Sequence, residues 1–167
     1  MIKKSQIWIE TVIYTLIGLS VIAIILAMVI PRIEKIQDRT IVEQTITAMD
    51  KLNGKILESS QTAGNVRIVN FKIAKGRLEI DSGNNAIIYI LEDVRLEMSE
   101  PDVDIDKGNV VLRTEKAGSK FKISLTMAYT IDLTYQDKEE TKTLSAGAVP
   151  YKIIIENTGT KINLEVV

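Results

Sequence analysis

The stretch TVIYTLIGLSVIAIILAMVI, from Thr11 to Ile30, decides the organisation of this 167-residue chain, because it holds twenty consecutive residues without Asp, Glu, Lys or Arg. As an α-helix it is about 30 Å long, the thickness of the hydrocarbon core of a bilayer. A helix of a small soluble domain is rarely apolar on all faces over this length. The sequence therefore predicts a membrane-inserted helix near the N-terminus.

The apolar run differs from an ordinary secretory signal peptide. It is longer than a typical signal core, and no small-residue cleavage site follows it, since the chain continues directly to Pro31 and Arg32. The positive-inside rule leaves the orientation open, because Lys3 and Lys4 precede the run and Arg32 follows it. An uncleaved signal anchor is the simplest interpretation of these features.

Glu10 is the ionisable residue closest to the apolar run, which effectively begins at Ile7. Placing a carboxylate at mid-bilayer costs about 2.5–3.5 kcal/mol on insertion scales, and less near the interface. An ionisable group in such a place indicates a function that requires a partner. A position in the headgroup zone without a function is the alternative.

Residues 1–31 resemble the class III signal of archaeal type IV prepilins. The segment KKSQIWIE, residues 3–10, combines a basic pair, a small residue and a glutamate directly before the long apolar run. In that family a prepilin peptidase removes a short basic leader, and a glutamate is fifth in the mature chain. The resemblance places the cut between Ser5 and Gln6, so that Glu10 becomes the fifth residue. Bacterial signals carry glycine where this chain has Ser5.

The resemblance also implies an organisation for the whole chain. A cleavable leader is expected at residues 1–5, an N-terminal helix at 6–60 and a β-rich head at 61–167. Within the helix, residues 6–31 are expected to form the membrane and filament core, and residues 32–60 an amphipathic continuation. This is the lollipop arrangement of pilins.

Cleavage would create an α-amine at Gln6. In the resembling family the fifth-position glutamate is thought to pair with such an amine on a neighbouring subunit. Because an unpaired charge is costly in a low-dielectric setting, docking would relieve the desolvation of Glu10. Cyclisation of an N-terminal glutamine would remove the amine. Gly18 and the small-xxx-small pair Ala23 and Ala27 permit close packing of helices in the filament core.

Pro31 removes one backbone donor and predicts a kink at the end of the apolar run. Ile33 and Ile36 follow it and are expected to face neighbouring subunits. Later apolar residues recur at helical spacing on another face, roughly 120° away, and are expected to pack on the head. They are Ile41, Thr45, Ala48, Met49, Leu52 and Ile56.

From Asn65 onward the pattern changes to alternation with β-branched residues, which predicts short strands. The predicted strands are residues 66–73, 77–80, 86–91, 94–98, 110–114, 121–126, 129–135, 141–144, 151–156 and 161–166. Strands of this number and spacing predict an antiparallel β-sandwich-like head or an open barrel. The expected fold class is therefore α+β, with a long hydrophobic helix before the head.

The chain has no cysteine and no histidine, which excludes disulfides, cysteine nucleophiles, histidine bases and the usual zinc sites. Asp102, Asp104 and Asp106 alternate as in a calcium loop. However, Lys107 and Arg113 stand where an EF-hand has glycine and glutamate. A solvated acidic strand edge is the preferred interpretation, and such an edge suits contact with basic residues of a neighbouring subunit.

The sequence carries no P-loop, dinucleotide fingerprint or nucleophile elbow, so neither an enzyme nor a cofactor is expected. The formal net charge is −1, and nothing suggests nucleic acid as a partner. Without Lys3 and Lys4, 19 basic side chains stand against 22 acidic ones, a formal charge of −3.

The resemblance implies a type IV pilin: a membrane-anchored precursor that becomes a homopolymeric filament on the cell surface, with a possible part in adhesion. The expected partners are identical subunits, the prepilin peptidase and the membrane assembly machinery. Four alternatives stay open. They are a minor pilin or membrane-anchored binding module with a β ectodomain, an archaellum subunit, a pseudopilin, and a signal-anchored ectodomain that never assembles.

Overall fold

The computed structural model describes residues 2–167; Met1 and the side chains of residues 2–7 lie outside the description. One helix, α1 (Ile2–Ser60), is followed by ten strands in two antiparallel-rich sheets, so the class is mixed α+β. The chain divides into two compact units, Met1–Gln37 and Asp38–Val167. The division falls inside α1, and the second half of the helix belongs to the same unit as the sheets.

The first unit is the apolar part of α1. Its large apolar side chains from Trp8 to Ile30 are all at least 39% exposed within this chain. A helix satisfies its backbone hydrogen bonds internally, which suits a segment without polar surroundings. The helix assignment continues through Pro31 without a break.

The second unit begins where α1 acquires a buried face. Val42, Met49, Leu52 and Ile56 are almost fully buried and follow one another at helical spacing. Thr45 lies on the same face, where its hydroxyl donates to the Ile41 carbonyl oxygen over 2.7 Å and is thereby satisfied. This face makes the helix part of the hydrophobic core.

Asp38 fixes the start of this buried half of the helix. One carboxylate oxygen accepts a hydrogen bond from the backbone N–H of Arg95 over 2.8 Å. The other accepts one from the Lys75 Nζ over 3.0 Å. A carboxylate that is only 9% exposed is thus held by one backbone donor and one ammonium group, as buried charge requires.

The strands form a four-stranded sheet of order β1-β9-β10-β7 and a six-stranded sheet of order β4-β5-β6-β3-β2-β8. Their bounds are β1 Val66–Phe71, β2 Arg77–Asp81, β3 Ala86–Val94, β4 Asp104–Lys107, β5 Val110–Ala117, β6 Lys120–Ala128, β7 Asp132–Tyr135, β8 Thr141–Ser145, β9 Tyr151–Asn157 and β10 Lys161–Val166. Strands β7 and β10 pair in parallel, and the other described strand pairs are antiparallel.

A single hydrophobic core joins α1 with both sheets. The four-stranded sheet contributes residues such as Ile155 and Leu164, and the six-stranded sheet contributes residues such as Leu112 and Leu125. The buried members of this core begin at Val42. The apolar run Thr11–Ile30 therefore contributes nothing to the interior of the head.

The predicted strand at residues 94–98 does not form. Strand β3 instead continues to Val94 across an irregularity after Leu91, where Asp93 takes a φ of 56°. The next backbone N–H, that of Arg95, bonds to Asp38 rather than to a strand. A tertiary hydrogen bond thus overrides the local β propensity.

The helix ends in a set of hydrogen bonds centred on Asn157, at the end of β9. The side-chain amide of Asn157 donates to the carbonyl oxygens of Ser59, over 3.0 Å, and Ser60, over 3.2 Å. Its side-chain oxygen accepts from the N–H of Gly159 over 2.8 Å. A buried asparagine therefore satisfies carbonyl groups that the helix terminus would leave without partners.

Candidate assembly site

Glu10 lies on the helix just before the uncharged run, between exposed apolar side chains. The side chain of Glu10 is exposed, and that of Trp8 is 72% exposed. Glu10 makes no hydrogen bond or ion pair with another described side chain, although it stands beside a segment suited to a membrane. Among the described residues, the Glu10 carboxylate is thus an exposed charge beside an apolar surface.

Ser5 and Gln6, the predicted cleavage pair, lie within the helix, but their side chains are outside the described residues. Cleavage between them stays a prediction. In an α-helix Gln6 and Glu10 are one turn apart, about 6 Å along the axis and on the same face.

The predicted packing residues do not form one stripe. Ala23 and Ala27 lie on one face, whereas Gly18 points roughly 140° away from Ala23 at about 100° per residue. All three are exposed, and a β-carbon built on Gly18 meets no other atom within 4 Å. Small residues on separate faces suit a helix with neighbours on more than one side.

Two hydroxyl groups within the apolar run are satisfied inside the helix. Thr15 donates to the Thr11 carbonyl oxygen and Ser20 to the Leu16 carbonyl oxygen, each over 2.8 Å. Such back-bonding removes the cost of placing a hydroxyl in hydrocarbon.

Pro31 stays inside the continuous helix. Because proline has no N–H, the carbonyl oxygen of Ala27 lacks its usual intrahelical donor. The kink predicted at Pro31 is a bend of the helix axis, and continuity of the helix does not test it. The kink therefore stays a prediction.

The three alternating aspartates lie at the edge of the six-stranded sheet. Asp104 and Asp106 are exposed on β4, as expected for an acidic strand edge. Arg113 on β5 faces Asp104 at 3.2 Å and Asp102 at 3.7 Å. No group of three or more Asp, Glu, His or Cys side chains suited to a metal ion occurs in the part of the chain that the structure describes.

Three aromatic side chains of the head lie in its interior. Phe71, Tyr89 and Tyr135 are buried, and the rings of Phe71 and Tyr89 pack with centroids 6.2 Å apart. Burial raises the pKa of the Tyr89 hydroxyl, although that group donates to the Lys75 carbonyl oxygen over 2.6 Å. A binding module that stacks aromatic side chains on a sugar needs them at the surface, so this distribution does not favour one.

The charged stretch 138–142 leads from β7 into β8; these strands lie in different sheets, so the stretch is not the tip of a β-hairpin, as the sequence had suggested. Gln136 and Asp137 precede it with positive φ angles of 50° and 61°. Lys142 folds back, so that its Nζ lies 5.4 Å from the centre of the Tyr135 ring. The stretch is thus a surface turn with one cation–π contact.

Length and composition make one helix of the described chain suitable to cross a membrane, and none of the residues in its apolar window is buried. The core helix of a soluble protein would be mostly buried, so it does not explain this segment. Comparison of the chain with protein-family models, with curated proteins and with solved structures gave no match. Function is therefore inferred from the residues and contacts of this chain.

Proposed function

We propose that the protein is a structural subunit of a type IV pilus-like filament on the cell surface. One observation carries the proposal: the head closes its core from Val42 onward, while every large apolar side chain from Trp8 to Ile30 stays exposed. A surface of this size requires another apolar environment. A membrane supplies it before assembly, and neighbouring helices supply it in a filament.

In this proposal the leader is removed between Ser5 and Gln6, and the helices bundle while the heads coat the outside. The two sheets of the head face each other as in a sandwich. Glu10 pairs with the α-amine of a neighbouring Gln6, which is favourable because the surrounding side chains are apolar. Gly18, Ala23 and Ala27 supply close helix contacts on different faces.

Substitution of Glu10 tests the proposal. In Glu10→Ala and Glu10→Gln the partner amine would be left unpaired, and losing one member of a buried charge pair costs about 2–5 kcal/mol. Surface filaments counted by electron microscopy should fall by at least about tenfold. Glu43→Ala is the matched control, because Glu43 makes only an exposed pair with Arg39 over 2.8 Å.

The N-terminus of the surface protein provides the second readout. Mass spectrometry of filament protein should find a chain that starts at Gln6 with a free amine; a cyclised Gln6 would support the cleavage and contradict the pairing of Glu10 with that amine. A chain that starts at Met1, with filaments unaffected by Glu10→Ala, would contradict the proposal and leave a signal-anchored ectodomain. A processed chain that is scarce in filaments would indicate a minor pilin.

A further inference from the structure

A groove runs between the second half of α1 and β1, the strand at one edge of the four-stranded sheet. Three adjoining cavities of about 170, 390 and 460 Å³ form it. They follow α1 from Ile41 to Glu58, which is roughly 25 Å of helix. This feature, lined by residues 41–58 of α1 and 68–74 beside it, is called the basic groove.

The basic groove combines an apolar floor with unpaired positive charge. Ile68 and Val69 supply apolar surface, and Ile68 is 54% exposed. Lys51 and Lys72 line the groove and have no ion-pair partner among the described residues. Lys55 is neutralised by Glu58 over 2.7 Å, so two positive charges remain for a ligand.

The opposite charge lies on β4, at one edge of the six-stranded sheet. The acidic edge, residues 102–106, holds three aspartates, of which Asp102 and Asp104 share Arg113. Asp106 is exposed and has no ion-pair partner among the described residues. Val103 is 43% exposed between the aspartates. Against the three aspartates stand Arg113 and the exposed Lys107 at the end of β4, so the edge has one excess negative charge. With the apolar side chain of Val103, this surface complements the groove.

The two surfaces lie on different flanks of α1. On the groove flank the helix presents Lys51, whereas Ile46 lies beside Leu96 near the other sheet edge. Asp50 accepts from the Asn109 side chain, just after β4, over 3.5 Å. Ile46 and Lys51 point roughly 140° apart on a helix. One copy therefore presents a basic surface on one side and an acidic surface on another.

We propose that the basic groove of one copy receives the acidic edge of the next copy. Because the two surfaces differ, the contact is head-to-tail, and it builds an open filament when the rotation from one copy to the next does not close a ring. Strand β4, Asp104–Lys107, spans about 13 Å and therefore fits within the roughly 25 Å groove. The inference rests on the proposed function and names the contact that its heads make.

Cysteine cross-linking tests the contact directly, because the chain has no cysteine of its own. Full-length Lys72→Cys/Asp106→Cys, produced in its host and oxidised at the cell surface, should give a ladder of dimers, trimers and longer products on a non-reducing gel. The matched control Lys72→Cys/Thr143→Cys keeps the groove position and moves the second cysteine to β8, at the other edge of the six-stranded sheet. It should stay monomeric.

Charge exchange provides a second, independent readout. Lys51→Glu/Lys72→Glu and Asp104→Lys/Asp106→Lys should each lower filament yield by at least about tenfold, because like charges would meet. Combining all four substitutions restores opposite signs and should recover most of the yield. Raising the salt concentration should weaken the wild-type contact.

The outcomes separate this inference from the proposed function. Filaments that yield no Lys72–Asp106 ladder would overturn the groove contact and leave the filament proposal standing. Absence of both filaments and cross-links would overturn both. A product that stops at the dimer would contradict the head-to-tail arrangement, whereas a ladder without visible filaments would support the contact and count against the pilus.

Discussion

Gly76 shows how closely two backbones approach in the six-stranded sheet. Its φ is 84°, and a β-carbon at this position would collide with the carbonyl oxygen of Ile90. We expect Gly76→Ala to destabilise the head by about 2–4 kcal/mol, from left-handed strain together with overpacking. Urea denaturation of the full chain in detergent, followed by pulse proteolysis, measures the change.

Gly118→Ala is the matched control, because Gly118 also has a positive φ, of 66°, yet a β-carbon there meets open space. It should cost only the backbone strain of about 1–2 kcal/mol. If Gly76→Ala and Gly118→Ala lowered the free energy of unfolding equally, this would show that a small shift of the strand relieves the collision with Ile90.

Tyr129 makes the stability of the head sensitive to alkaline pH. Burial raises the pKa of the Tyr129 hydroxyl above its ordinary value of 10.0, and its only described hydrogen bond is a weak one to the Met127 Sδ at 3.8 Å. The unfolded chain therefore releases this proton at a lower pH than the folded chain. The neutral Tyr129 hydroxyl therefore makes its full contribution to the free energy of unfolding below about pH 10. This contribution is lost as the pH rises above that value.

In Tyr129→Phe, the free energy of unfolding should decrease less steeply between about pH 9 and about pH 11 than in the wild type. At neutral pH the substitution should change this free energy little. Parallel urea titrations of the two proteins, followed by circular dichroism, measure the slopes. Identical alkaline slopes for wild type and variant would show that Tyr129 ionises without unfolding the head.

At the scale of elements, the junction between α1 and the β9–β10 hairpin depends on Asn157. Asn157→Ala leaves the carbonyl oxygens of Ser59 and Ser60 without their side-chain donor, at a cost of about 1–3 kcal/mol. Asn157→Asp keeps the acceptor for the Gly159 N–H but loses the donating amide, so it should cost a similar amount. Hydrogen exchange of the last helical turn should quicken in both variants.

The control for this junction is Asn70→Ala, because Asn70 is exposed on β1 and bonds to no described side chain. It should change stability by less than about 0.5 kcal/mol. Unchanged exchange in Asn157→Ala would mean that water replaces the amide at the helix end.

Elements with a strong local period were predictable from the sequence. The helix and the strand at residues 161–166 follow from spacing alone, and the exposed aspartates of β4 follow from their alternation. The prediction of a strand at residues 94–98 was wrong, because the backbone N–H of Arg95 bonds to Asp38, 57 residues earlier in the chain. Asn157 indicated a turn between two strands, but not its bonds to the helix end, because those partners lie 97 and 98 residues away.

At the scale of the whole molecule, the two compact units predict that the head folds without the apolar run. A chain that starts at Asp38 keeps the whole buried core and the carboxylate that holds Lys75 and Arg95. We expect it to fold without detergent, as judged by circular dichroism, and to self-associate only through the proposed groove contact, as judged by sedimentation velocity at low and high salt concentration. The full chain should need detergent, because its apolar helix is exposed.

A chain that starts at Asp50 is the control for this truncation. It lacks Val42 and Met49, each fully buried in the core, and removal of such side chains costs about 2–5 kcal/mol apiece. It should be unfolded. An aggregated or unfolded 38–167 fragment would show that the head requires the first unit for its stability.

The candidate site was predictable only in part. The position of Glu10 and the length of the apolar run can be read directly from the sequence, whereas the pairing of Glu10 with a neighbouring chain stays a proposal. The two sheet orders, the parallel pairing of β7 with β10 and the basic groove depend on contacts between distant segments. Local patterns carry no signal for such contacts.

The Asn157 junction also sets the order of events during synthesis. Strand β1 pairs with β9, and the helix end is bonded to a residue 98 positions later. At about 5–20 residues per second, roughly 5–20 s of translation separate the helix from the strand that closes the head. The apolar part of α1 is complete well before this closure. Synthesis of the apolar helix and folding of the head are thus successive steps, with the long-range pairing as the slow one.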